Sequence, residues 1–264
     1  MPRLGVFLFI EPSQHYLSYP SCAMSITARK LRLAGLKVVE LVGGDANPDR
    51  IRSAVSSTDP AVIVGTGHGL ECVYTVECTQ PLIVMPSGMY DICREELNTD
   101  LAVGRVVHLI SCRTGADLGR WLVGKGAVAF LGNSEDVLFF IGKPPCTDES
   151  LAVFRPELRA VEVLASGGTV GDAVKARRQA YLEEIEYWTV GMGRLSEDAP
   201  LIVRLLRVNM DSLTEYGDVY HTVSEPTELP EVEMVYGTAE RIFGYITALG
   251  LAAAFIHDVS RPRE

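Results

Sequence analysis

A chain of 264 residues, 47% hydrophobic and 22% charged, carries enough apolar side chains for a substantial core, in one large domain with an appendage or in two small ones. A net charge of −10 with scattered basic residues argues against a nucleic-acid surface, which needs Lys and Arg clustered against phosphates. Six cysteines without a CxxC pair or a Cys/His zinc spacing argue against a disulfide scaffold and a structural zinc site, so a reducing cytoplasm is the expected setting.

The N-terminal stretch has an apolar run of only about seven residues and no small-residue cleavage site before Glu11-Pro12, unlike a signal peptide. Residues 3–10 (RLGVFLFI) read as a first strand, and residues 21–33 as a helix ending at Gly35. A second strand follows over 36–42. Asn47-Pro48 then gives a cap and a first helical position for a helix to about Ser57. Residues 61–65 form the third strand, CVYTVECTQPLIV a surface hairpin, 89–97 a helical turn and 105–111 the fourth strand. Within the hairpin, Cys72 and Cys78 are spaced for a local disulfide of the kind found in hyperthermophile proteins, and the scarcity of Gln and Asn leans towards a hot habitat.

A helix over 114–125 and a fifth strand over 127–131 complete the alternation of a doubly wound α/β domain. Residues 134–148 form a long loop with an exposed-looking Val137-Leu138-Phe139-Phe140, the kind of loop that binds substrate beside an active edge. Helices are expected over 150–165 and 170–188, the second capped by Thr169 with Asp172. Its trio Lys175, Arg177 and Arg178, followed by Glu183, Glu184 and Glu186, reads as a solvated face. Residues 200–209 fit helix or strand, 219–223 a last short strand, and Pro226 and Pro230 a linker. The uncharged run 242–255 is shorter than a bilayer span, so a docked C-terminal helix is favoured over membrane contact.

Two motifs close buried strands at the edge where parallel sheets bind ligands: Gly67-His68-Gly69 after AVIVG, and Ser111-Cys112-Arg113-Thr114-Gly115 after VVHLI. A cysteine at a helix start has its thiolate favoured by the helix dipole, and Cys112 fits that setting. His68 is a general acid/base with a suitable ordinary pKa, and the backbone N–H groups that follow Cys112, with that of Gly69, are candidate oxyanion donors. Acyl transfer through a thioester is the chemistry this set supports. Cys22, Cys72, Cys78, Cys93 and Cys146 lack such a setting, and His108, within the strand before Cys112, reads as packed or paired structurally.

On these residues the chain resembles the caspase-like cysteine peptidases of clan CD, the group of caspases, legumains, gingipains, separases and CHAT peptidases. His-Gly closes one strand and a small residue plus Cys closes a later one, in that order. The SCRTG motif with the following ADLGRWLVGKGAVAFLG, and Gly217-Asp218 near the domain end, are similar to the gingipain and CHAT patterns. The resemblance covers roughly residues 3–223. It implies a three-layer α/β fold with a mostly parallel six-stranded sheet and helices on both faces for a catalytic domain over 1–223, and residues 224–264 beyond it read as the linker and C-terminal apolar helix. The resemblance also implies a catalytic Cys112 and His68, oxyanion donors at the backbones of Gly69 and Cys112, no metal or organic cofactor, and a protein or peptide substrate.

Relatives that cleave after basic residues place an acid in the S1 pocket, sometimes directly before the cysteine. Here that position is Ser111, so Glu11, at the end of the first strand, is the candidate acid for a basic P1 residue. Lys143 and Arg155 are each followed by Pro, which disfavours activation by cleavage there and points to activity as a single chain. Two other functions remain open from sequence: a non-catalytic or signalling protein of the same fold acting by partner binding, and another thiol acyl-transfer enzyme.

Overall fold

Short runs such as Phe7-Leu8-Phe9-Ile10 and Val106-Val107 present apolar side chains to both faces, so a strand made of them is stable only between two apolar layers. In the computed structural model, which describes residues 5–13, 15–87 and 89–231, that is where they lie. The strands are β1 (Val6–Glu11), β2 (Lys37–Val42), β3 (Val62–Thr66), β4 (Gly69–Leu70), β5 (Val73–Thr75), β6 (Pro81–Val84), β7 (Val106–Ile110), β8 (Ala129–Asn133) and β9 (Leu213–Gly217). The helices are α1 (Ser18–Leu33), α2 (Pro48–Thr58), α3 (Leu118–Gly124), α4 (Asp148–Leu151), α5 (Phe154–Ala165), α6 (Val170–Thr189) and α7 (Ala199–Asp211).

Six strands form one sheet in the order β2-β1-β3-β7-β8-β9, all parallel except β9, which runs antiparallel to β8. Phe7, Phe9, Val62, Val64, Val106 and Ile110 face a core shared with α1 and α5. Leu8, Ile10, Ile63, Val107, Leu109 and Phe130 face the opposite core, with Ile51 of α2 and Leu118 and Leu122 of α3. Burial of each such side chain contributes about 2 kcal/mol, and the period-2 alternation lets one strand serve both layers. The three-layer α/β fold with a mostly parallel six-stranded sheet is therefore as the sequence implies. β4, β5 and β6 form a separate antiparallel sheet just after the His68 motif.

The local signals explain most boundaries. The Asn47 side chain accepts from the Arg50 N–H at the start of α2, and Thr169 and Asp172 make a capping box on α6. The expected helix over 150–165 is two pieces, α4 and α5, and residues 200–209 lie in the helix α7. The last strand is not at 219–223. It is β9, because Leu213–Gly217 pairs with the full length of β8, while Thr222 makes only an isolated bridge to Thr169. Beyond it Val223 is buried and the Ser224 hydroxyl donates to the Leu164 and Ala165 carbonyls, so the chain stays against α5 there. The expected C-terminal helix over 242–255 lies outside the described residues.

Four of the six cysteines are paired, against the expectation from their number and spacing. Cys72 bonds to Cys93 rather than to Cys78, which is exposed and free, and Cys22 bonds to Cys146. The pairs join segments 21 and 124 residues apart, so the closures are tertiary and no short-range spacing reveals them. Among the described residues no helix is long and apolar enough to cross a membrane.

Candidate active site

β3 and β7 are parallel neighbours, with Thr66 in register with Ile110 at their carboxyl ends. His68 and Cys112 each follow two residues later, so the register alone brings the two motifs to one point on the sheet edge. The His68 carbonyl accepts the Thr75 N–H (2.9 Å), which closes the hairpin with β5. Gly69 and Tyr74 are then the non-hydrogen-bonded pair of that ladder, and the Gly69 N–H points out of it. His68 is exposed and Cys112 half-buried, with a free thiol.

Gly69 packs directly on the cysteine turn: a Cβ there would overlap the Cys112 carbonyl oxygen and stand 2.7 Å from Thr114 Cγ2 and 3.0 Å from Ser111 Oγ. No side chain fits, which is a packing reason for glycine at this position. The turn itself has Arg113 in the left-handed region (φ 56°) and hangs on the end of β8. The Arg113 N–H donates to Glu135 O (3.0 Å) and the Gly115 N–H to Asn133 O (2.8 Å). α3 starts only at Leu118, so Cys112 sits in this turn and not at a helix N-terminus as the sequence suggests. The intervening hydrogen bonds to the end of β8 and to Glu135 just beyond it hold residues 113–115 out of helical geometry.

Without a helix dipole, the thiol responds to its near neighbours. Burial pushes its pKa up and Asp136 adds to that, while the Val137 backbone N–H, the Arg113 guanidinium and the N–H of Cys112 itself favour the thiolate. Arg113 bonds Asp136 (Nε to Oδ1, 2.9 Å) and reaches Glu71 of the hairpin (3.4 Å). It thus ties the two segments that flank Cys112. Nothing in the sequence pattern marked this clamp, because its members come from three separate loops.

The two proposed specificity residues are both buried. The Ser111 side chain is turned inward onto Thr114 Oγ1 (3.1 Å). Glu11 stands at the carboxyl end of β1 as expected, but it is fully buried and accepts from the Ser25 hydroxyl (2.9 Å). Burial raises its pKa to about 8; the Ser25 bond opposes this and nearby Glu40 reinforces it. A neutral buried carboxyl presents no charge to a basic side chain. The 134–148 loop is less exposed than its sequence suggests: Val137 and Phe140 are buried, and Asn209 pairs with the Leu138 backbone in both directions (3.0 and 2.6 Å). Tyr19 OH, donating to the Ile141 and Lys143 carbonyls, and the Cys22–Cys146 bond tie the loop to α1.

Among solved structures, the crystal structure of the Arg-specific cysteine proteinase gingipain R superposes with a TM-score of 0.52 at 15% identity, over 82% of this chain and 47% of that one. The chain has the caspase-like fold. A complex of the pro- and mature domains of RgpB from Porphyromonas gingivalis matches over 81% of this chain and 47% of that chain, at 11% identity and a TM-score of 0.49. The chain thus spans somewhat under half the length of either structure. No protein-family model and no protein of curated function matches the sequence. Within the caspase-like fold, the paired ends of β3 and β7 carry the histidine and cysteine motifs. Among the described residues no group of three or more His, Cys, Asp or Glu side chains is arranged to hold a metal ion.

Proposed function

We propose that this chain is a cysteine endopeptidase that works through Cys112 and His68. The Cys112 sulfur attacks the scissile carbonyl carbon as its proton passes to the His68 imidazole, and the carbonyl oxygen becomes an oxyanion facing the Gly69 and Cys112 N–H groups. Collapse breaks the C–N bond, His68 gives its proton to the leaving amine, and a thioester remains. Water then attacks the thioester with His68 taking its proton, the acid product leaves, and the sulfur regains a proton.

The observation that carries this reading is the Thr66–Ile110 register, which sets His68 and Cys112 at equal offsets beyond adjacent strands with Gly69 against the cysteine turn. Preference for a basic P1 residue belongs to the same proposal, with an acid other than Glu11 required while that carboxyl is neutral and buried. Activity as a single chain also belongs to it. The test is hydrolysis of denatured casein and of a peptide panel varied at P1, beside Cys112→Ala and His68→Ala. Cleavage by the intact chain that both substitutions abolish supports the proposal. Faster cleavage after Asp or Asn than after Arg or Lys removes the basic preference, and cleavage that survives Cys112→Ala removes the mechanism.

Burial of the Cys112 thiol, which pushes its pKa up and works against the thiolate, favours a second reading, a caspase-fold protein that acts by binding a partner, with another thiol acyl-transfer enzyme as its catalytic counterpart. A protein that cleaves nothing in the panel while Cys112 still alkylates would favour these over the peptidase.

A further inference from the structure

Arg177 is the one member of the basic trio on α6 that is not solvated. It is 2% exposed, while Lys175 and Arg178 are exposed as expected. A guanidinium in an apolar layer is costly unless its charge and donors are met. Its charge is met by the fully buried Glu157 of α5, which also accepts from Tyr181 OH (2.6 Å) and from His108 Nε2 (3.1 Å). Burial works against a charged Glu157, but Arg177, His108 and Tyr181 outweigh it and hold its pKa down to about 2. Burial pushes the His108 pKa down, against the hydrogen bond to Glu157.

The two Nη atoms of Arg177 do something Glu157 alone does not require, while Nε has no hydrogen-bond partner among the described residues. They bond the Gly132 carbonyl (3.2 and 3.3 Å) and Asn133 Oδ1 (3.1 Å), successive residues at the end of β8. Asn133 Nδ2 donates to Ser212 Oγ (3.1 Å), which fixes the amide with its oxygen towards Arg177. The backbone oxygens of Asn133 and Glu135 are the two acceptors that hold Gly115 and Arg113. The spacing of those bonds, 113 to 135 and 115 to 133, is that of a short antiparallel ladder directly after Cys112.

We propose that Arg177 is a positioning residue for the cysteine turn: from inside the fold it fixes the β8 end on which residues 113–115 hang, and through them sets where the Cys112 sulfur stands. Lys would bring the charge but not the planar fork that reaches a carboxylate, a peptide carbonyl and an amide oxygen together. The inference rests on reading Cys112 as the reactive thiol, but its test needs no peptide substrate.

The experiment is the rate of Cys112 alkylation by iodoacetamide against pH in the full chain, separated from Cys78 by peptide mass mapping. Glu157→Gln, which leaves Arg177 as a lone buried charge, is compared with Glu157→Gln/Arg177→Gln, in which neither charge is left, and with Arg177→Lys. Circular dichroism and thermal unfolding establish that each is folded. The expected result is that the double variant alkylates about fivefold or more slowly at neutral pH than Glu157→Gln, with a displaced midpoint, the weight of at least one lost hydrogen bond. Arg177→Lys should fall between it and the unsubstituted protein. A folded double variant with the profile of Glu157→Gln overturns the proposal. Should either Glu157 variant not fold, an unchanged profile in folded Arg177→Lys overturns it equally. If the unsubstituted protein cleaves no peptide yet the alkylation profile depends on Arg177, the peptidase reading fails and the positioning role stands.

Discussion

Gly69 and Cys112 are in backbone contact: the glycine Cα faces the cysteine carbonyl so closely that a Cβ would overlap that oxygen. Gly69 does not have a positive φ, so its backbone suits alanine and only space forbids it. Gly69→Ala should therefore push the His68 and Cys112 motifs apart, at a stability cost of about 1–3 kcal/mol. We expect a well-folded variant in which reaction of Cys112 with a peptidyl electrophile slows by about tenfold or more. Retention of the full rate would mean that the two backbones need not touch for reaction.

Asp136 is a half-exposed carboxylate that helps hold the thiol in its protonated form and engages Arg113. In Asp136→Asn the negative charge is lost and the guanidinium is released, and both changes favour the thiolate. Alkylation of Cys112 near pH 7 should rise by about two- to threefold, a modest effect because solvent screens the pair. A slower rate would show that the clamp serves reactivity rather than restraining it.

Glu11 gives a pH signature of its own. Burial holds its pKa at about 8, so the folded protein keeps a proton that the unfolded chain releases near the ordinary carboxyl value. Its contribution to stability is fully present below that ordinary value and is lost as pH rises through about 8. Glu11→Gln, which stays neutral, should unfold at the same temperature as the unsubstituted protein at pH 5 and several degrees higher at pH 9, a difference on the order of 1–4 kcal/mol. Parallel unfolding temperatures across that range would show that Glu11 is ionised in the fold, and would restore it as an acid for a basic side chain.

The cysteine pairing predicts two reactive thiols, Cys78 and Cys112, in the denatured unreduced protein and six after reduction. Reduction should lower the unfolding temperature by about 5 °C or more, since the Cys22–Cys146 bond closes a span of 124 residues. Six thiols before reduction would contradict the pairing. Disulfides persist in oxidising compartments and in hyperthermophile cells, so a cytoplasmic location is a proposal that depends on the second setting.

The central strands β1, β3, β7 and β8 are legible because each is a short apolar run buried on both faces, and β3 and β7 end where Gly and Ser interrupt those runs. Asn47 and Thr169 likewise mark their helix starts through side-chain bonds made within three residues. What the sequence hid is tertiary. Arg177 reads as a solvated charge until it is seen to share the buried stripe of α6 with Ala173 and Tyr181, at four-residue spacing on either side. β9 escapes a sequence reading because Leu213–Gly217 becomes a strand only by pairing with β8, and the start of α3 does so because the Asn133 carbonyl at the end of β8 and the Glu135 carbonyl beyond it capture the N–H groups of Gly115 and Arg113. Each miss involves a partner more than ten residues away.

The most direct test of the Cys112–His68 assignment is covalent labelling of the purified protein with peptidyl acyloxymethyl ketones varied at P1, read by intact mass and peptide mapping. The account predicts one adduct, on Cys112, at a rate that depends on the P1 residue and collapses in His68→Ala. Labelling of Cys78 in preference to Cys112, or of Cys112 at a rate indifferent to both P1 and His68, would contradict it.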